Sequence, residues 1–114
     1  MNRMIIVLVA ILISATATII AHSPSEMELS YDNETKILEV LVKHNVGNPG
    51  NHYISELTVA NDGGQMILHR LTKQENGDGI MFQYRLPNAE EGMVIEVTAK
   101  CSRVGSITKE IEIK

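Results

Sequence analysis

From Met27 onward, apolar residues alternate with polar ones rather than recurring at helical spacing. Met27, Leu29 and Tyr31 alternate with Glu28 and Ser30, the period-two pattern of a half-buried strand. The turn residues Asp32-Asn33-Glu34-Thr35 follow, and then a β-branched run from Ile37 to Lys43. Within it Leu38, Val40 and Val42 share one face, and His44 continues that phase at the strand end. A third strand is predicted over 53–60. Asn61-Asp62-Gly63-Gly64 then supplies residues that tolerate positive φ, a hairpin signal. The fourth strand runs from Gln65 to Leu71, and Lys73 to Gly79 reads as a polar loop. Ile80, Phe82, Tyr84 and Leu86 alternate as a fifth strand, and Pro87 to Gly92 turns the chain. Met93, Ile95, Val97 and Ala99 make the inward face of a sixth, with Cys101 next in phase. In the last strand, Ile107 to Ile113, Ile111 and Ile113 are opposed by Glu110 and Glu112. The pattern predicts an all-β fold, an immunoglobulin-like antiparallel β-sandwich of about seven strands.

The first 21 residues follow a different rule. Met1-Asn2-Arg3 supplies a positive start, Met4 to Ile13 is an unbroken apolar run, and Ser14-Ala15-Thr16-Ala17 provides small residues in an A-x-A arrangement. This is a signal-peptide pattern, with cleavage expected after Ala17 and the alternative after Ala21. The run from Met4 to Ala21 also has the length of a retained membrane anchor. Residues 1–21 are therefore expected to be a signal peptide or anchor. Residues 22–114 are expected to be one β-sandwich domain, placed outside the cytoplasm as a secreted, periplasmic or cell-surface protein.

Net charge is −4, and the ten Lys and Arg residues are dispersed. With one Phe, three Tyr and no Trp, the chain has neither the basic patch nor the stacking residues of a nucleic-acid-binding protein. Cys101 is the sole cysteine. In an exported protein a single cysteine calls for an explanation: intermolecular pairing, a reactive thiol, a metal ligand, or an inert buried thiol.

Metal ligation has partners available. His44 and His52 flank a Gly/Pro/Asn-rich loop, His44-Asn45-Val46-Gly47-Asn48-Pro49-Gly50-Asn51-His52, and His22 precedes the first strand. A sandwich gathers its loops at two ends, so His22, His44, His52 and Cys101 can converge at one rim. Three imidazoles and a thiolate suit iron, copper or zinc. His69 lies mid-strand, in phase with Ile67 and Leu71, and is expected to be a surface or core residue. Asn33-Glu34-Thr35 matches a glycosylation sequon. Glu90-Glu91 and Glu110/Glu112 read as solvated charge rather than an acid/base pair.

Four segments, in order, resemble the iron-binding domain of superoxide reductases and desulfoferrodoxins. They are His22-Ser23-Pro24, His44, His52-Tyr53-Ile54 followed by Glu56-Leu57, and Cys101-Ser102-Arg103-Val104-Gly105. The resemblance spans residues 22–114 and implies a small immunoglobulin-like β-sandwich. It also implies ferrous iron held by His22, His44 and His52 with Cys101 as axial thiolate, reduction of superoxide to hydrogen peroxide, and an external electron donor. Three departures accompany it. Val104 stands where the family pattern Cys-Asn-x-His-Gly has its histidine, the loop from His44 to His52 is two residues longer, and Ile20-Ala21 precede His22 where the family commonly has a lysine.

The expected function is thus an exported mononuclear iron domain of the superoxide reductase type. The alternatives are a non-catalytic copper or iron module for metal binding or electron transfer, and a structural cell-surface sandwich.

Overall fold

The computed structural model describes residues 23–62 and 64–114. The expected signal or anchor over 1–21, and His22, lie outside the described residues. Seven strands run in order: β1 (Glu26–Asp32), β2 (Ile37–Lys43), β3 (Ile54–Asn61), β4 (Gly64–Arg70), β5 (Gly79–Arg85), β6 (Val94–Cys101) and β7 (Ser106–Glu112). Every predicted strand is present, with boundaries shifted by a residue at some ends.

Two antiparallel sheets result, one ordered β1-β2-β5 and the other β4-β3-β6-β7. In constant-type immunoglobulin domains the fourth strand lies on the sheet of the first, second and fifth. Here it pairs with β3 instead, because Asn61 and Gly64 face each other across a tight hairpin. Gly64 has φ 118°, a conformation that side chains with a Cβ rarely adopt. At the same end of the sandwich the Asp32 carboxylate accepts the backbone N–H of Glu34 at 2.8 Å, closing the β1–β2 turn.

The alternating residues supply the core. Leu38, Val40 and Val42 of β2 pack with Leu57 and Val59 of β3 and with Ile95, Val97 and Ala99 of β6, all fully buried. Each such Val, Leu or Ile withdrawn from water contributes roughly 1.5–3 kcal/mol, and this burial holds the sheets face to face. Met27, Ile54, Ile80, Leu86 and Ile113 extend the same cluster toward its rims. Edge strands β4 and β7 are only half-buried on their inner faces. The best-packed part of the molecule therefore lies between β2 and the β3–β6 pair, and those elements carry the site.

Candidate metal centre

The inner faces of β2 and β6 each lead into a side chain of a kind that can bind metal. Beyond Leu38, Val40 and Val42, the same phase brings His44 to 0% exposure. Beyond Ile95, Val97 and Ala99, it brings Cys101 to 5%. His52, at 8%, arrives from the loop leading into β3. The three are all buried at one rim.

A bulge in β3 sets the third residue. Ile54 pairs with Cys101 and Glu56 with Lys100, so Ser55 is the extra residue on its strand. Bulges bend a strand and re-aim its side chains, often next to functional sites. Here the loop before the bulge lies along the turn after Cys101: Ser102 donates its N–H to the Tyr53 carbonyl at 2.8 Å, and Tyr53 donates its own to Ser102 Oγ at 3.1 Å. His52 is thereby held over the sulfur. Its Nε2 lies 3.2 Å from Cys101 Sγ. The His44 and His52 rings meet edge to face, with centroids 4.9 Å apart and planes at 85°.

One ligand atom from each of His44, His52 and Cys101 falls within 4.8 Å of the others. Two imidazoles and a thiol so close can hold a metal ion, and the mixed N/S donor set favours a transition metal over magnesium or calcium. The turn after Cys101 adds a further contact, because the Arg103 backbone N–H donates to Sγ at 3.4 Å. The Arg103 side chain is tied to the histidine loop, with Nε donating to the Asn51 carbonyl at 3.3 Å.

The loop over 73–79 is not simply solvated. Gln74 turns inward from it and is 2% exposed. Its Oε1 accepts the backbone N–H of Ile54 at 2.9 Å and also contacts Nδ1 of His44. Its amide nitrogen donates to the carbonyls of His44 and Asn76, at 3.2 and 3.1 Å. Backbone bonds from His44 to Asp78, Val46 to Gly77 and Gln74 to Pro49, at 2.8–3.0 Å, clamp this loop to the histidine loop. Sequence reading missed Gln74. Its neighbours Lys73, Glu75, Asn76 and Asp78 are polar, and no local signal separates one inward amide from a solvated stretch.

The other candidates lie as follows. His22 is outside the described residues, but the next residue, Ser23, packs on Gly105 in the turn after Cys101. A Cβ added to Gly105 would come within 2.8 Å of the Ser23 Cβ and collide with its hydroxyl. Val104, at the family's histidine position, is 51% exposed. His69 stands apart from the centre, with its Nδ1 2.7 Å from the Tyr84 hydroxyl and its ring edge-on to Phe82. Glu90, Glu91, Glu110 and Glu112 are all exposed, as is Asn33 of the sequon.

In comparisons with protein-family models, curated proteins and solved structures, nothing matches this chain.

Proposed function

We propose that this chain is a mononuclear metal-binding domain whose ion is held by His44, His52 and Cys101, with iron of the superoxide reductase type as the leading reading. The observation that carries it is the convergence within 4.8 Å of three buried donors, from the end of β6, the residue after β2 and the loop before β3. Burying polar side chains costs free energy unless they find partners, and nothing in a structural sandwich requires two imidazoles and a thiol at one point. His22 is proposed as a third imidazole. The packing of Ser23 against Gly105, four residues past Cys101, supports this.

Ferrous iron in such a site would supply one electron to superoxide, which with two protons leaves as hydrogen peroxide, and an external donor would restore the ferrous state. The chain's own part is to hold the donors, with Cys101 as an electron-rich thiolate, the device that tunes thiolate-ligated haem. Placement outside the cytoplasm is proposed with it, on the signal-like composition of residues 1–21.

One observation favours a second reading, a copper electron carrier. The described donors are two imidazoles and one thiolate, the trigonal set of blue-copper sites, and Val104 adds no fourth imidazole.

Elemental analysis with visible absorption on the anaerobically purified full chain, beside a Cys101→Ser variant, tests both readings. One ion per chain and a thiolate charge-transfer band lost in the variant are expected. Absence of metal from both proteins would sink both. Consumption of superoxide by the iron-loaded chain then separates enzyme from carrier.

A further inference from the structure

The hydrogen-bond partners of Gln74 determine which way its amide faces. The Ile54 N–H can only donate, and it meets Oε1 at 2.9 Å. The carbonyls of His44 and Asn76 can only accept, and they meet Nε2 at 3.2 and 3.1 Å. A flipped amide would set a donor against a donor and two acceptors against an acceptor. Oε1 is therefore the atom facing His44 Nδ1. An amide oxygen cannot donate, so Nδ1 must carry the proton. In a neutral imidazole the other nitrogen, Nε2, then bears the lone pair.

We propose that Gln74 is a positioning residue that fixes the tautomer of His44 and so selects Nε2 as its ligating atom; its consequence for metal rests on the reading above. Metal-bound histidines commonly donate their other ring N–H to an oxygen acceptor that sets ring orientation and donor strength. Gln74 has the placement for that role: it is buried, and both ends of its amide are bonded. It also holds three pieces of the site together: the end of β2 through the His44 carbonyl, the start of β3 through Ile54, and its own loop through Asn76.

The first test needs no metal. Long-range proton–nitrogen correlation spectra of the metal-free full chain, recorded at mildly alkaline pH with ¹⁵N-labelled histidine, report the tautomer of each ring. His44 is expected as the Nδ1–H form. An Nε2–H form, or a mixture of the two, would overturn the proposal.

The second test titrates Co(II), whose thiolate charge-transfer band reports Cys101 ligation, into wild type, Gln74→Met and Gln74→Glu. Met matches the length of Gln but offers no oxygen, and should weaken binding about 10- to 100-fold with the band retained. Glu keeps an oxygen acceptor for His44 and should recover part of that loss. Equal affinity in wild type and Gln74→Met would overturn the proposal. If Gln74→Met does not fold, the tautomer in the unaltered chain decides. A wild-type chain that binds no Co(II) would defeat the metal reading, and the tautomer would still decide the role of Gln74.

Discussion

His52 Nε2 lies 3.2 Å from Cys101 Sγ although the two residues are 49 apart in sequence. The contact exists because a bulge at Ser55 sets the β3 register so that Ile54 faces Cys101. It ties the proposed ligand set to a backbone feature that can be altered separately from the ligands.

The first prediction concerns the sulfur. Replacing Cys101 with Ser keeps the size of a 5%-exposed side chain but removes the soft donor. Metal affinity should fall by more than the roughly 10- to 100-fold associated with changes one shell further out. The visible band should vanish while the circular dichroism of the β-sheets is retained. A variant with unchanged absorption would remove Cys101 from the site.

Metal binding should also release protons, since thiol and imidazole ligands must be deprotonated to coordinate. Calorimetric titration of the metal-free chain in buffers of different ionisation enthalpy measures that release directly. An observed heat independent of the buffer would argue against His and Cys ligation.

His69 and Tyr84 make a separate prediction. Burial pushes the Tyr84 hydroxyl up from its ordinary value to about 12, and His69 is its hydrogen-bond partner. In the unfolded chain the hydroxyl ionises near 10, so above that pH the unfolded state binds fewer protons than the folded one. The contribution is fully present below about pH 10 and is lost as pH rises through about 12. Tyr84→Phe should flatten this alkaline loss in denaturation curves recorded as a function of pH. His69→Asn should cost about 1 kcal/mol, the usual worth of one hydrogen bond, and leave metal affinity unchanged. A fall in affinity would reinstate His69 as a ligand.

The proposed role of His22 can be approached through a glycine. Gly105 and Gly92 have nearly the same backbone angle, φ 86° and 87°, but only at Gly105 would a Cβ meet Ser23. Both Gly→Ala changes should destabilise the fold by about 1–3 kcal/mol through left-handed strain. Only Gly105→Ala should also weaken metal binding, as should His22→Ala. Equal affinity in Gly105→Ala and Gly92→Ala would count against a ligand next to Ser23.

The parts of the site that sit on uninterrupted alternation were legible in the sequence. Leu38, Val40 and Val42 point to a buried His44, and Ile95, Val97 and Ala99 point to a buried Cys101, because a strand cannot change face without a defect. The defect itself was less visible. The spacing Ile54, Leu57, Val59 breaks the two-residue period at Ser55–Glu56, a trace of the bulge. The pairing of β4 with β3 was legible too, because Asn61-Asp62-Gly63-Gly64 signals a hairpin and Asn61 faces Gly64 across it. Gln74 was beyond reach: its partners are Ile54, His44 and Asn76, and two of them lie on other elements.

In antibody domains a disulfide joins the second and sixth strands across the sandwich. Here β2 leads into His44 and β6 ends in Cys101, both at one rim, so a metal held as proposed would join the same two sheets there. A coordinated ion is a cross-link whose strength varies with free metal, stabilising the folded state by mass action. Under the proposed metal reading the cohesion of this rim would be reversible, set by the metal supply rather than fixed once at oxidation, and a chelator should lower the melting temperature of the loaded chain where a reductant of disulfides would not.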